Sequence, residues 1–282
     1  MGSSPPSDQE TCDVSTIGLT PNQTALADAI FDLGKPVVLI TYGPRPKGLL
    51  EYYSKAAAVL RTGYGGQAAG QAVADVLFGK VNPSGRLPLT VPTTEGTIPA
   101  FYNHQASDYH YRYVDLPMRD FHGDLLPEGV YGDTNAYNPI FPFGFGLSYT
   151  NFSYSQISVE GKADNSTFKA QETLQFKFKV TNTGDRRGRD VPQIYLLHRS
   201  ASVAQPVQQL YGFSNVELSP GQSEEVSVEL DVARYLSGYN LKNKWVVEGT
   251  DFTFALKKHS GDNNKNNVTL ALETREEVVP FV

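Results

Sequence analysis

The feature that most constrains this chain is the stretch from Gly63 to Pro92, which reads GYGGQAAGQAVADVLFGKVNPSGRLPLTVP. It follows a short apolar run, Ala56 to Thr62, that has the length of a buried strand. Its first glycines allow a sharp turn, and apolar residues at helical spacing follow over Gln67 to Phe78. Gly79 marks a helix end, and Arg86 to Val91 has the composition of another short strand. The order strand, turn, helix, strand predicts a parallel α/β sheet.

Residues 1–99 are predicted to form a partial α/β sandwich domain. A helix is expected from Pro21 to Leu33, with Thr20 as its N-cap, and Pro36 to Thr41 is the most strand-like run. Only about three strands result, fewer than a parallel sheet that is covered on both faces normally contains. We therefore expect the neighbouring strands to come from residues before Met1. Residues 1–15 are polar and are expected to be disordered.

The rest of the chain divides into an irregular segment and an all-β domain. Residues 100–150 are rich in Pro, Gly and aromatic side chains without sustained periodicity, which is typical of a connecting segment that is functional or packed. Residues 151–282 contain short strand-like runs separated by turn residues, which predicts an antiparallel immunoglobulin or fibronectin type III-like β-sandwich. The runs are Phe152 to Val159, Leu174 to Val180, Val191 to Leu197, Gln208 to Val216, Glu225 to Leu230, Trp245 to Glu248, Phe252 to Leu256 and Val268 to Leu272.

Composition excludes several classes of partner. The net charge of −6 and the pI of about 5.4 give no basic surface for nucleic acid or an anionic membrane. No run approaches the roughly 18 apolar residues that span a bilayer. The single cysteine, Cys12, excludes an internal disulfide framework.

Localisation depends on the protein from which this sequence comes. The first residues, MGSSPPSDQE, lack the apolar core of a signal peptide, so any signal would precede them. An extracellular parent is expected. Candidate glycosylation sites, each in an N-x-S/T tripeptide, are Asn22, Asn151, Asn165 and Asn267.

Taken together, these segments resemble the C-terminal part of family 3 glycoside hydrolases, the β-glucosidases and β-xylosidases. The matching pieces in the first half are Gly34 to Leu39, Gly63 to Gly79, Asn82 to Pro88, Tyr102 to His104, Tyr111 to Tyr113 and Phe141 to Thr150. Those in the second half resemble the family's fibronectin type III-like domain and are Val180 to Gly184, Gly188, Val191 to Tyr195, Leu210 to Phe213 and Leu218 to Gly221.

The resemblance implies a three-domain parent that removes glucose or xylose from β-linked oligosaccharides without a cofactor or metal. Members of the family place a (β/α)8-type barrel before the α/β domain, and their nucleophile is an Asp on that barrel. A barrel takes about 250 residues, and we expect neither the barrel nor the nucleophile within this chain. The isolated chain is therefore expected to be inactive.

The resemblance also suggests Glu10 as the acid/base of a retaining mechanism. Many members carry this residue in a Glu-x-x-Asp-Arg pattern shortly before a helix that starts Pro-Gly-Asn-Gln. Here Glu10-Thr-Cys-Asp13 precedes Pro21-Asn-Gln23, and Val14 stands where the pattern has Arg. The alternative is that Glu10 is an ordinary solvated residue at the end of the chain.

Other functions stay open at this stage. The chain could be a non-catalytic module that binds carbohydrate or protein, or a nucleotide-binding protein that uses the Gly63-x-Gly65-x-x-Ala68 turn. A metal site is a weaker alternative, with His104, Asp108 and His110 as ligands. Aromatic residues of the middle segment could stack on sugar rings or fill a joint between domains. They are Phe101, Tyr102, Tyr109, Tyr111, Tyr113 and Tyr131. Arg112 and Asp115 are expected either to pair with each other or to tie this segment to the sandwich.

Overall fold

The computed structural model describes residues 14–105, 139–198 and 200–280. Contacts within the chain divide these residues into two compact units. The first contains 14–81, 89–101 and 139–142. The second contains 82–88, 102–105, 143–198 and 200–280. Each unit is therefore built from separate stretches of the sequence.

The first unit alternates helices with short strands. Its elements are helix α1 (Pro21–Phe31), strand β1 (Val38–Thr41), helix α2 (Leu50–Lys55), strand β2 (Ala58–Arg61), helix α3 (Ala69–Leu77) and a 3-10 turn (Glu95–Thr97). Thr20 precedes α1 as its N-cap without a side-chain cap bond, and Pro21 takes the first helical position, where its missing N–H costs nothing. Both helices that the sequence predicts are confirmed, with slightly shorter bounds.

The two strands of this unit pair in parallel, with Val38 opposite Ala58 and Thr41 opposite Arg61. This pairing confirms the predicted parallel α/β arrangement. The predicted strand over residues 86–91 is wrong, since Val91 makes only an isolated antiparallel bridge with Phe141. Pro88 lacks the N–H that a ladder requires.

A small core stabilises the first unit. Its buried side chains are Ala27, Leu39, Leu49 and Tyr52. The Phe31 ring stacks on Tyr52 at 5.6 Å, and the Tyr52 hydroxyl donates to Asp28 Oδ1 at 2.7 Å. Burial, followed by this bond to Asp28, raises the pKa of Tyr52 to about 12. The phenol is therefore neutral and fixes α1 against α2.

The second unit is the predicted β-sandwich. Its elements are β3 (Phe152–Tyr154), β4 (Ser158–Val159), β5 (Thr167–Phe168), β6 (Thr173–Asn182), β7 (Gly188–Asp190), β8 (Gln193–His198), β9 (Gln209–Phe213), β10 (Val216–Leu218), β11 (Ser223–Asp231), α4 (Val232–Leu236), β12 (Ser237–Tyr239), β13 (Trp245–Glu248), β14 (Asp251–Lys257), β15 (Asn267–Leu272) and β16 (Glu276–Val278). A five-stranded sheet has the order β5-β15-β14-β8-β9, and a four-stranded sheet has the order β11-β6-β3, with β4 also on β6. Shorter sheets join β12-β13-β16 and β10-β7.

Alternation along the strands produces the core of this unit. Leu174, Phe176, Phe178 and Val180 point inward from β6, and polar side chains between them point outward. Across the core the Phe176 ring lies 4.8 Å from the Phe254 ring of β14. The two larger sheets are thus held face to face by aromatic contacts, as the period-two pattern predicts.

A buried ion pair attaches residues 82–88 to this unit. The Arg86 guanidinium binds Asp190 Oδ1, with the two side chains only 13% and 4% exposed. Tyr154 donates its hydroxyl to the second oxygen, Oδ2, at 2.6 Å. Burial and the Asp190 charge raise the pKa of Tyr154, so its proton stays in this bond.

Asn82 provides a second attachment for the same segment. Its Nδ2 donates to Arg187 O at 3.1 Å, while its Oδ1 accepts from Ser148 Oγ at 2.9 Å and from Tyr149 N at 2.8 Å. Leu87 adds backbone bonds, donating to Phe145 O and accepting from Gly144 N. These bonds explain why residues 86–91 do not form a strand of the α/β sheet.

We expect Arg86→Met to lower the free energy of unfolding of the second unit by about 3–5 kcal/mol, because it leaves the Asp190 carboxylate buried without its cation. Arg187→Met is the matched control, since Arg187 pairs with Glu217 while 69% exposed. That change should cost at most about 1 kcal/mol. Urea unfolding followed by Trp245 fluorescence measures both. Equal losses in the two variants would show that the buried pair has no special role.

Candidate functional site

The proposed acid/base, Glu10, and its neighbour Cys12 lie outside the described residues. The described chain begins at Val14, and its first polar anchor is Glu95. Thr16 Oγ1 donates to Glu95 Oε1 at 2.6 Å, and Ile17 N donates to the same oxygen at 2.9 Å. The chain is therefore fixed six residues after Glu10 by a carboxylate that is far away in sequence.

Gly48 gives this segment a second attachment. Its N–H donates to Ile17 O at 3.1 Å. A Cβ at position 48 would lie 2.5 Å from Ile17 Cδ1, so a larger residue would require the Ile17 side chain to move. Glycine lets the Ile17 side chain pack directly against the backbone.

The charge of Glu95 strengthens the anchor. The Thr16 hydroxyl bond, followed by backbone N–H bonds, holds the pKa of this carboxyl below its ordinary value. Glu95 also begins the 3-10 turn, where Thr94 and Thr97 bond each other reciprocally as a capping box. The carboxylate is thus ionised near neutral pH and rests on a defined turn.

We expect Glu95→Ala to speed amide exchange at Ile17 roughly fivefold, because the N–H loses a charged acceptor. Global stability should change by less than about 1 kcal/mol, since Glu95 is exposed. In the unsubstituted chain, the slow amide exchange at Ile17 should be present above the ordinary pKa of a Glu carboxyl. It should be lost as the pH falls through the lowered pKa of Glu95. Glu51→Ala, which removes an exposed carboxylate paired with Lys55, is the control. Unchanged exchange at Ile17 would contradict the anchor.

Only two of the aromatic candidates lie in the described part of the chain. Phe101 is 64% exposed. Tyr102 instead stacks on Phe143 with ring centroids 4.2 Å apart, meets Tyr195 edge-on at 6.1 Å, and accepts a bond from Leu210 N. Tyr102 is therefore part of the packing of the second unit. Tyr109, Tyr111, Tyr113 and Tyr131, with Arg112 and Asp115, lie outside the described residues.

A polar cluster that was not predicted from the sequence surrounds Gln193. The buried Tyr195 hydroxyl donates to Gln193 Oε1 at 2.6 Å, and Gln193 Nε2 donates to Lys258 O at 2.9 Å and to Gly144 O at 3.1 Å. Burial raises the pKa of Tyr195. The Val191-Pro-Gln-Ile-Tyr195 motif therefore has a structural function, since its Gln193 amide satisfies the Gly144 carbonyl in the interior and also bonds the Lys258 carbonyl.

The glycine-rich turn also has a packing explanation. A Cβ at Gly65 would lie 2.4 Å from Ala69 Cβ, so the turn must be glycine to bring the chain against the start of α3. Asp75 lies within α3, where it accepts from Gln71 at 2.8 Å and pairs with Lys80 at 3.2 Å. Its pKa is lowered by those bonds. This geometry favours close packing over a nucleotide-binding function for the turn.

Of the proposed metal ligands only His104 is described. Its Nδ1 lies 3.1 Å from Gln105 O, and Asp108 and His110 fall outside the described residues. Within residues 14–105, 139–198 and 200–280, no group of three His, Cys, Asp or Glu side chains is arranged to hold a metal ion.

All four candidate glycosylation asparagines are exposed. Asn22 lies in α1 and Asn267 in β15. Asn165 occupies a turn at φ +62°, and Asn151 directly precedes β3. In the part of the chain that the structure describes, no helix is long and apolar enough to cross a bilayer.

Comparison with known proteins identifies the family. Residues 1–149 match the glycosyl hydrolase family 3 C-terminal domain, which is more than half of the chain. The chain belongs to glycosyl hydrolase family 3. Residues 190–260 match the fibronectin type III-like domain, in agreement with the observed sandwich.

Relatives in this family are named as β-glucosidases and β-xylosidases. A periplasmic beta-glucosidase of Salmonella typhimurium is 34% identical over 84% of this chain, and a beta-xylosidase of Formosa agariphila is 34% identical over 97%. The beta-glucosidase from Listeria innocua, solved in complex with isofagomine, superposes with a TM-score of 0.80 at 28% identity over 96% of this chain. The chain spans 29%, 35% and 36% of the lengths of these three proteins.

Proposed function

We propose that this chain acts as the C-terminal part of a retaining, exo-acting β-glucosidase or β-xylosidase, with Glu10 as its acid/base. The observation that carries the proposal is the position of Glu10-Thr-Cys-Asp13 before Pro21-Asn-Gln23, inside the segment that matches the family 3 C-terminal domain. The nucleophile is proposed to be an Asp of the barrel domain that precedes this part in the family. Neither group alone completes the reaction.

In this mechanism Glu10 has two successive roles. Its carboxylic acid first donates a proton to the glycosidic oxygen while the barrel Asp attacks the anomeric carbon and the glycosidic bond breaks. The resulting Glu10 carboxylate then takes a proton from water, which attacks the glycosyl–Asp ester and releases the sugar and the nucleophile. The two carboxyl groups must lie roughly 5 Å apart for this double displacement.

The Glu95 anchor supports this assignment. A residue that transfers a proton must be held to within a fraction of an ångström, and chain ends are rarely that well fixed. Glu95 and Gly48 hold Thr16 and Ile17 through three hydrogen bonds. The chain is therefore attached to the first unit six residues after Glu10 in the sequence.

Relatives support the substrate class. The Listeria innocua beta-glucosidase has been solved in complex with laminaribiose, and the Formosa agariphila relative is named a beta-xylosidase. We propose β-linked gluco- or xylo-oligosaccharides as substrates of the parent enzyme. The choice between glucose and xylose is assigned to the barrel domain.

A chimera provides the test. This chain would replace the matching third of the Formosa agariphila relative, and release of nitrophenol from aryl β-glycosides would be measured. We expect activity, and we expect Glu10→Gln to lower the rate about 10²–10⁴-fold with 4-nitrophenyl glycosides. The loss should be much smaller with 2,4-dinitrophenyl glycosides, whose leaving group needs no proton. Added azide should accelerate the variant because it attacks the glycosyl intermediate without a base.

Asp8→Asn is the matched control, since it removes a neighbouring carboxylate and should leave these rates unchanged. Equal losses of kcat/KM with both leaving groups would exclude Glu10 as the acid, because kcat/KM reflects only the steps up to departure of the leaving group. A folded chimera without activity would contradict the proposed function as a whole.

We also propose that the parent is exported, in line with the relative that is named periplasmic. For a parent from a eukaryotic secretory pathway, the exposed turn at Asn165 is the proposed glycan acceptor. Expression through such a pathway should attach N-linked glycans to the chain. Thr167→Ala should lower their total mass by the mass of one glycan. Ser166→Ala keeps the N-x-T tripeptide and should leave the mass unchanged. Equal glycan masses in both variants would exclude this site.

A further inference from the structure

A depression opens on the second unit where three chain segments meet. It encloses about 370 Å³, at the small end of the range for ligand sites. One wall is the segment that follows β8, the second is the turn between β13 and β14, and the third is the segment that precedes β16. The lining residues are Ser200, Ala201, Ser202, Glu248, Gly249, Thr250 and Arg275.

Hydrogen bonds hold the three segments in place. Glu248 Oε2 accepts from Ser202 Oγ at 2.7 Å and from Ser202 N at 3.1 Å. The same hydroxyl accepts from Leu241 N at 3.3 Å. On the other side Gly249 N donates to Arg275 O at 3.2 Å. The depression is therefore a built feature with a fixed backbone.

Gly249 sets the depth of the depression. It has a φ of +152°, and a Cβ there would lie 2.9 Å from Phe252 Cζ and 3.1 Å from Ser200 O. Any side chain would push the turn away from the Ser200 segment and from the buried Phe252 ring. The sequence thus keeps this turn free of a side chain at the point where the walls meet.

Polar groups of both kinds face the opening. The Arg275 guanidinium, which is exposed, makes no ion pair or hydrogen bond with any residue in the described part of the chain. Its five N–H donors are available to a ligand, and Glu248, Ser200 and Thr250 line the same depression. Among the described lining residues there is one carboxylate and one guanidinium, so their formal charges balance.

We infer that this depression binds a neutral sugar residue. Adjacent hydroxyls of a sugar donate and accept at once, so they can donate to Glu248 while accepting from Arg275, in charge-assisted bonds at both ends. The balanced charge disfavours an anion, which Glu248 would repel, and a cation, which Arg275 would repel. Ala201 and the Gly249 Cα supply small apolar contacts for ring C–H groups. This binding is independent of Glu10 and of the proposed hydrolysis.

The test is an NMR titration of the full 282-residue chain with methyl β-glucoside, methyl β-xyloside and laminaribiose. We expect saturable shifts of the Ser202, Gly249 and Thr250 amides with at least one sugar. Arg275→Ala should weaken this binding about tenfold, since it removes a charge-assisted bond. Arg234→Ala, which removes an exposed arginine from α4 on the same unit, should leave it unchanged.

Several outcomes would overturn the inference. They are the absence of shifts at these amides with all three sugars, equal shifts with glycerol, and equal affinity in Arg275→Ala. Shifts caused by inorganic phosphate and not by sugars would show an anion site instead. Because binding is measured without turnover, these results are distinct from the hydrolysis test of the chimera.

Discussion

The buried pair of Arg86 and Asp190 is the interaction on which the second unit most depends. The Arg86 side chain is only 13% exposed and the Asp190 side chain 4%, so both charges lose most of their hydration. Their attraction offsets this loss only when additional hydrogen bonds to the two groups are well formed. Tyr154 supplies one such bond to Asp190. Asn82 fixes the same segment through three further bonds. Residues 82–88 therefore belong to the β-sandwich, although the sequence places them directly after α3.

Three of the motifs that identify the family have a structural function in this chain. Gly65 allows close contact with α3, and Gln193 satisfies buried carbonyl groups from two other segments. Arg86 neutralises a buried carboxylate. Such residues tolerate little change because each leaves a clash or an unsatisfied polar group when it is replaced. They identify the fold of the family's C-terminal part, whereas the chemistry that we propose rests on Glu10 and on a nucleophile that we assign to another domain.

Strands and helices with a clear periodicity of apolar residues could be predicted from the sequence. Alternation on β6 and the helical spacing over α3 were read correctly because a buried face imposes its period on the residues. Strands β5, β7, β12 and β16 were missed, since two or three residues are too few to show a period.

The site could not be predicted in the same way. Thr16 and Glu95 are separated by 79 residues, and Arg86 and Asp190 by 104, so no local pattern carries either contact. The Arg275 guanidinium, which has no partner among the described residues, likewise becomes visible only when three distant segments meet.

We propose that this chain supplies one catalytic carboxyl group and that the other lies on a different domain. The test is nitrophenol release from aryl β-glucoside and aryl β-xyloside by the purified 282-residue chain alone. We expect no release above the uncatalysed rate with either substrate. Release that Glu10→Gln abolishes would contradict it, because a nucleophile would then have to lie within these residues.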